Sequence, residues 1–390
     1  MKKEILLRTI IVFCALALAA GFTGCGPREQ TIKIGFSIPL TGDNPMVGEG
    51  SKNTGEIIKE AINGAGGLDV GGTQYKLEFI YLDNELKAEN AVLTVTQLID
   101  QNKVLAVIGP QGSGRAIPAG EICNDRRTPM VSAWSTNPDT TKNRPYVFRA
   151  CFIDPFQAPV AAKFTKEKFD VSKVAILYNV EDDYSKTLAE LYRDSWNSNY
   201  GEVVAWESFG QKDQDFNAQL TNILVSGADI LYVPVYYNFL GNIVPQAKAL
   251  GWDKPIMGAD AWGSADLWKV SNGSVAGYYF TTHYAAAGAV GRTREFIDTY
   301  NAKYGYIPDD VAALTYDAVN IVLESVRTAG ITGNLERDRD NLKDAIAGLK
   351  DFEGITGKMS FTPDGDPQKE AVVVRISDSG EFVFEASLAP

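Results

Sequence analysis

Chemically reactive side chains are scarce in this sequence. Its 390 residues include one histidine, His283, and four cysteines. A metal centre built from such ligands needs a cluster of them, and the sequence has none. A Ser–His–Asp hydrolase would need His283 beside a serine on a G-x-S-x-G turn, and the nearest string, Gly112–Gly114, lacks that spacing. We therefore expect neither an enzyme nor a bound cofactor.

Basic residues are also fewer than acidic ones. Lysine and arginine number 37 against 49 aspartate and glutamate, which gives a formal net charge of -12. The first 24 residues carry three basic residues and one acidic residue, so the rest of the chain has a formal charge of -14. An acidic chain without a basic stripe argues against nucleic acid as a partner.

Long hydrophobic runs are missing after the first 24 residues. Near the start, basic residues precede the apolar run Ile10–Ala20, and small residues lead from there to Cys25. This pattern predicts a secretory signal over residues 1–24 and a tether over 25–30. The alternative is an uncleaved anchor helix, for which Leu6–Gly24 is only marginally long enough. In both cases we expect a soluble body held outside the cytoplasm.

The signal resembles a lipoprotein signal peptide. The resemblance implies that Cys25 becomes the lipid-modified first residue of the mature protein, although Phe22 stands where a leucine is usual. Cys123 and Cys151 then remain for the body of the chain. In an oxidising compartment they could form a disulfide, and the alternative is a pair of buried free thiols.

The order of the apolar patterns indicates an α/β fold. The predicted strands are Ile32–Leu40, Lys76–Asp83, Val104–Pro110, Pro129–Trp134, Lys173–Asn179, Val203–Phe209, Ile230–Val235 and Pro255–Gly258. Helical patterns separate them, for example Asn90–Asp100, whose apolar residues share one face. This alternation is typical of doubly wound parallel sheets, and the chain is too long for one ordinary core. We therefore expect two doubly wound parallel-sheet lobes.

Three segments interrupt the pattern and are predicted to be passages between the lobes. They are Tyr146–Pro159, Tyr278–Tyr284 and Gly357–Pro367. The resulting division is 31–150 with 285–356 for lobe 1, and 151–284 with 357–390 for lobe 2. Three passages make a three-strand hinge, and a body hinged in this way closes on what it binds.

The stretch Val104–Pro138 holds two consecutive strand-to-turn units that end in small polar residues. The first opens a helix at Ser113, and the second ends in Ser135 and Thr136. Ligands of open α/β sheets bind outside the carboxyl ends of the strands, where N–H groups at helix starts receive an anion. These turns therefore favour a small carboxylate. The alternative is that Ser113 only caps a helix and that the other two residues only form a turn. The glycine order, G-x-x-G-x-G, does not fit a dinucleotide site.

Motifs along most of the chain resemble one family. They are IKIGFSIPLTGDN, AINGAGGL, VLAVIGPQGSG, SAWSTNP, IMGADAWGSADL and YDAV. In this order they are similar to the solute-binding lipoproteins of ABC importers in the leucine/isoleucine/valine-binding group, which have the type I periplasmic binding protein fold. The resemblance implies a free amino acid, branched-chain or related, that is bound between the lobes and delivered to permease and ATPase subunits. It also implies a lipid-anchored location in the periplasm or on the outer face of the cytoplasmic membrane.

The resemblance also implies roles for individual residues. At the position of Ser113 the family offers an N–H and a hydroxyl to the ligand carboxylate. Trp134 matches a position whose carbonyl accepts from the ligand ammonium, and Thr136 matches a threonine that adds a hydroxyl and an N–H. Tyrosines at Tyr184 and Tyr236 close over the ligand from lobe 2.

Asp260 matches the partner of the ligand ammonium, where the family has glutamate. A buried ammonium needs a counter-charge, which agrees with this role; the alternative is a helix N-cap. Val47 replaces an aromatic residue of the family site, and Gly112 replaces a cysteine. Trp134 and Trp262 either narrow the pocket or stack on an aromatic ligand.

The identity of the ligand side chain remains open because of these departures. Arg115 is close to the predicted carboxylate site, and we expect it to be a solvated surface residue rather than a ligand contact. Two other functions remain open: binding of an amine-free carboxylate or an amide, and an extracellular sensory ligand-binding module.

Overall fold

Two separate sheets dominate the fold. The computed structural model describes residues 30–388. Its strands are β1 (Thr31–Ile38), β2 (Leu68–Val70), β3 (Thr73–Asp83), β4 (Ala106–Ile108), β5 (Met130–Ser132), β6 (Val147–Arg149), β7 (Lys173–Asn179), β8 (Glu202–Phe209), β9 (Ile230–Val233), β10 (Ile256–Gly258), β11 (Tyr279–Thr282), β12 (Phe352–Gly354), β13 (Gly357–Phe361), β14 (Pro367–Gln368), β15 (Ala371–Ile376) and β16 (Phe382–Leu388).

Helices separate most of these strands. They are α1 (Pro45–Gly64), α2 (Ala88–Asp100), α3 (Ser113–Asp125), α4 (Asp154–Phe169), α5 (Asp183–Asn199), α6 (Asn217–Val225), α7 (Leu240–Ala249), α8 (Leu267–Val270), α9 (Gly291–Tyr304), α10 (Asp310–Ala329) and α11 (Leu335–Ala347). Within residues 30–388, none of them combines the length and the apolarity that a bilayer crossing requires.

The first sheet has the strand order β2-β3-β1-β4-β5-β6. Its central strand, β1, reads TIKIGFSI and is buried over almost its whole length, as expected for a parallel strand covered on both faces. Helix α2 shows why the flanking helices form here, because its buried residues Ala91, Val95 and Leu98 recur every three or four positions. Helix α10 returns late in the chain and packs against α1. These elements make up lobe 1.

The second sheet has the order β16-β15-β11-β10-β9-β7-β8. Strands β7 to β11 are parallel, whereas β15 pairs antiparallel with β11 and with β16. In the first sheet β2 is likewise antiparallel to β3. The expected α/β architecture is therefore confirmed, but both sheets are mixed rather than wholly parallel. Short connections at these edges allow hairpins, which parallel strands cannot form.

The chain crosses between the two lobes three times, at residues 150–153, 283–290 and 369–370. All three predicted passages contain regular structure. Tyr278–Tyr284 includes β11, an interior strand of the second sheet. Within Tyr146–Pro159, helix α4 already begins at Asp154. This helix has no apolar stripe to reveal it, because it is buried on several sides.

The segment 357–368 differs most from its predicted position. Strand β13 pairs with β12 on one side and with β14 on the other, in a small sheet separate from the second large sheet. The loop between β13 and β14 contacts lobe 1, where Arg149 forms a 2.7 Å ion pair with Asp366. The third crossing consequently follows Gln368 and not Thr356.

Candidate functional site

The turn after β4 in lobe 1 contacts lobe 2. Gly112 has a φ of +80°, a conformation that favours glycine. A Cβ atom at this position would overlap the hydroxyl oxygen of Tyr236 from lobe 2. The glycine that replaces the family's cysteine is therefore required by the backbone and by the neighbouring lobe.

Ser113 begins α3 directly after this glycine and is buried. The N-cap position is Gly112, so the alternative role of Ser113 as a helix cap is wrong. Its Oγ instead accepts a 3.3 Å hydrogen bond from the backbone N–H of Asn137 and lies 3.3 Å from Ser135 Oγ. Ser135 also shares a 2.5 Å hydrogen bond with Thr140. The two predicted turns are thus held together through their hydroxyl groups.

Two buried donors at these turns have no partner within residues 30–388. They are the Oγ1 of Thr136 and the indole nitrogen of Trp134. The Trp134 ring lies 5.6 Å from the ring of Tyr236, centroid to centroid, and therefore reaches across to lobe 2. A buried donor without a partner costs about 1–3 kcal/mol, so these atoms favour an acceptor between the lobes.

Lobe 2 contributes a connected set of polar groups at the ends of β7, β9 and β10. The Tyr184 hydroxyl donates to Asp260 Oδ1 over 2.7 Å, and Gln157 Nε2 donates to the same oxygen over 2.8 Å. Both donors contact Oδ1, which leaves Oδ2 for a ligand. Tyr236 packs against Tyr184 with ring centroids 5.5 Å apart. Five of the predicted residues therefore meet between the lobes: Ser113, Trp134, Tyr184, Tyr236 and Asp260.

Asp260 lies in the single turn Asp260–Trp262, whose N-cap is Ala259, and its Oδ1 accepts from the side chains of Tyr184 and Gln157. The N-cap alternative for this residue is therefore wrong. Burial raises the pKa of its carboxyl group, opposed by the hydrogen bonds from Tyr184 and Gln157. A positive group beside Asp260 would favour the ionised form.

Asp154 was missed from the sequence and adds a second acid to this region. It begins α4 at the first crossing and is fully buried. Its backbone N–H donates to the carbonyl of Thr136 over 2.9 Å, so its carboxyl group lies near the Thr136 hydroxyl. Burial and the nearby charge of Asp260 raise its pKa to about 8. The sequence signal for Asp154 was its position in a predicted passage, because segments that cross between the lobes border the space between them.

Two residues lie elsewhere than expected. Trp262 is fully buried in lobe 2, where its indole N–H donates to the carbonyl of Val233 over 3.0 Å and its ring covers Gly258. Its polar group is therefore occupied inside the lobe. Arg115 is 8% exposed and pairs with Asp182 of lobe 2, so the prediction of a solvated surface residue is wrong. Val47 is buried in lobe 1, in the first turn of α1.

The remaining sequence candidates are buried or lie outside the described residues. His283 is stacked on Phe152, with centroids 3.7 Å apart, and its Nδ1 lies 2.7 Å from Asp310 Oδ2. Cys123 and Cys151 are both buried and free, so the alternative of a disulfide is wrong. Cys25, the predicted lipidation site, lies outside residues 30–388.

The polar groups between the lobes are arranged by type. Hydroxyl and N–H donors at Ser113, Trp134 and Thr136 come from lobe 1. Asp260 follows β10 in lobe 2, and Asp154 lies at the first crossing, beside Thr136. Such an arrangement can receive a small molecule with an anionic end and a cationic end.

Comparison with known proteins places the chain in a family. A family model described as "Periplasmic binding protein" matches residues 31–381. The Leucine-, isoleucine-, valine-, threonine-, and alanine-binding protein of Pseudomonas aeruginosa is 27% identical over 357 residues, covering 91% of this chain and 92% of the relative.

Two solved structures extend the comparison to the fold. A leucine-binding protein LivK from Thermotoga maritima has 31% identity and a TM-score of 0.85, covering 92% of this chain and 99% of its own. The second is the branched-chain amino acid transporter substrate-binding protein LivJ from Streptococcus pneumoniae, in complex with isoleucine. It has 33% identity and a TM-score of 0.83, covering 93% of this chain and 100% of its own. The fold and these similarities lead to one conclusion: the chain belongs to the periplasmic binding protein family.

Proposed function

We propose that this protein binds a free α-amino acid, branched-chain or related, between its lobes and delivers it to the permease of an ABC importer. The observation that carries the proposal is the pair of buried acids, Asp154 and Asp260, the first of which lies beside Thr136 of lobe 1. Membership of the periplasmic binding protein family implies that the chain works outside the cytoplasm. The names of the similar LivK and LivJ proteins support the same class of ligand.

The charge of the cleft argues for a ligand that carries an ammonium group. A buried ionised carboxylate without a counter-charge costs several kcal/mol, and Asp154 forms no ion pair within the described part of the chain. An ammonium group beside Asp154 and Asp260 would offset this cost for both. A carboxylate ligand without an amine brings no positive charge and would leave this cost in place. This is why we favour an amino acid over an amine-free carboxylate.

In this proposal the two ends of the ligand have different partners. Ser113 and Thr136 hold the carboxylate through hydroxyl and backbone N–H groups at the start of α3 and at the turn after β5. The carbonyl of Trp134 and the carboxylate of Asp260 hold the ammonium, with Asp154 as the added acid. Tyr184 and Tyr236 cover the ligand from lobe 2, and Ser135 positions Ser113.

A thermal-shift screen over amino acids, amine-free carboxylates and amides tests the proposal. A ligand that binds only the folded state raises the apparent unfolding midpoint by mass action. We expect aliphatic amino acids to raise the midpoint and their amine-free analogues, such as 4-methylpentanoate for leucine, to leave it unchanged. A response to the amine-free carboxylates alone would contradict the proposal.

We also propose that the protein is anchored to the membrane through an acylated Cys25, because the apolar run and the small residues before this cysteine form a processing site. Mass spectrometry of the mature protein should find residue 25 at the N-terminus with added acyl chains. In a Cys25→Ala variant, residue 25 should carry no acyl chains. A mature N-terminus at another residue, or an unmodified Cys25, would contradict the anchor.

A further inference from the structure

The start of α3 in lobe 1 faces the start of α5 in lobe 2, and one ion pair joins them. Arg115 Nη1 lies 3.1 Å from Asp182 Oδ2, and the two side chains are only 10% and 5% exposed. Each partner is also fixed within its own lobe. Arg115 Nε donates to the carbonyl of Leu86 over 2.7 Å, and Asp182 Oδ1 caps α5 by accepting from the backbone N–H of Ser185 over 3.0 Å.

We propose that Arg115 and Asp182 form a latch between the lobes, which holds the closed state and slows ligand release without contacting the ligand. The latch rests on the proposed function, because it acts on the same cleft. The guanidinium carbon also lies 5.6 Å from the centre of the Tyr236 ring, so the latch covers a tyrosine of the proposed site.

The burial of this pair explains why it acts on closure. Exposed ion pairs contribute little, since water solvates both charges equally well when they separate. Arg115 and Asp182 are shielded from water, so removing one partner leaves the other charge unpaired only while the lobes are closed. In an open molecule both charges return to water. Removing either partner should therefore destabilise the closed state and raise the dissociation rate of the ligand.

The test measures association and dissociation rates of L-isoleucine by stopped-flow in four proteins: the parent, Arg115→Met, Asp182→Asn and the double variant. Asparagine remains a good helix cap, so Asp182→Asn keeps α5 intact. We expect each single variant to raise the dissociation rate at least about tenfold, with association within about threefold of the parent. The double variant should release ligand no faster than the faster single variant.

A matched control comes from Arg126, which pairs with Asp100 at 2.8 Å on the surface of lobe 1, with side chains 52% and 40% exposed. Arg126→Met should leave both rates unchanged. If Arg115 held the ligand carboxylate directly, Arg115→Met would weaken binding while Asp182→Asn would not, and that result would overturn the latch. Unchanged dissociation in both single variants would overturn it as well.

Failure of the latch is distinguishable from failure of the proposed function. If the parent binds L-isoleucine and the variants release it at the parent rate, only the latch is wrong. If the parent binds no amino acid in the thermal-shift screen, the proposed function is wrong. Small-angle X-ray scattering of the ligand-free proteins then tests whether the latch holds the lobes together. A larger radius of gyration for Arg115→Met than for the parent would support it, and equal radii would overturn it.

Discussion

Replacing Asp260 with asparagine is expected to weaken amino-acid binding by about 2–5 kcal/mol, the range for breaking a buried hydrogen-bonded charge pair. The substitution keeps the size of the side chain and an oxygen that can accept from Tyr184 and Gln157, both of which contact Oδ1. It removes the negative charge that the ligand ammonium would meet. Calorimetry with the amino acid that gives the largest thermal shift measures the effect.

Ser113→Ala provides the comparison for this experiment. It removes a hydroxyl group but keeps the backbone N–H at the start of α3, so we expect a smaller loss of about 1–3 kcal/mol. The ratio of the two effects tells which end of the ligand depends more on a side chain. If Asp260→Asn binds as tightly as the parent while Ser113→Ala does not, the ammonium is not held at Asp260.

Gly112→Ala is expected to weaken binding more than about tenfold by preventing full closure. The new Cβ would overlap the Tyr236 hydroxyl oxygen, and the backbone at φ +80° disfavours any residue with a side chain by about 1–3 kcal/mol. The backbone cost applies to open and closed forms alike and should lower the unfolding midpoint. The overlap with Tyr236 applies only to the closed form and should lower the affinity.

Two variants separate these effects. Gly114→Ala, two residues further on, places its Cβ no closer than 3.6 Å to Asp183 of lobe 2, so affinity should stay near that of the parent. In the Tyr236→Phe background the nearest ring atom is 3.5 Å from the new Cβ, so Gly112→Ala should cost far less there. An equal loss of affinity in both backgrounds would show that overlap with the tyrosine is not the cause.

Much of lobe 1 could be predicted because its signals are local. The apolar run of β1 and the repeating apolar face of α2 each lie within a short stretch of sequence. The turns after β4 and β5 are likewise recognisable from their glycine, serine and threonine residues. Family resemblance then supplied the residues of lobe 2 that no local pattern singles out, such as Tyr184 and Asp260.

The features that were missed depend on distant parts of the chain. Helix α4 has no apolar stripe, because neighbours cover it on several sides. Arg115 lies at the start of a helix of lobe 1, and its contacts with Asp182 and Tyr236 of lobe 2 are far away in sequence. Trp262 follows Asp260, at a position where a ligand contact was expected. Its ring instead packs over Gly258 inside lobe 2. Local patterns describe one lobe at a time and carry no information about which groups meet on closure.

The two buried cysteines make the protein suitable as the basis of an optical sensor. Burial raises the pKa of both Cys123 and Cys151 to about 12, and the thiol of Cys151 donates to the carbonyl of Ser135. Thiolate is the form that reacts with maleimide dyes, so neither residue competes for label at neutral pH. A cysteine introduced on the rim of each lobe would therefore take up dye selectively in protein truncated before residue 26. Because Cys123 and Cys151 are free, a reducing labelling buffer would break no disulfide between them.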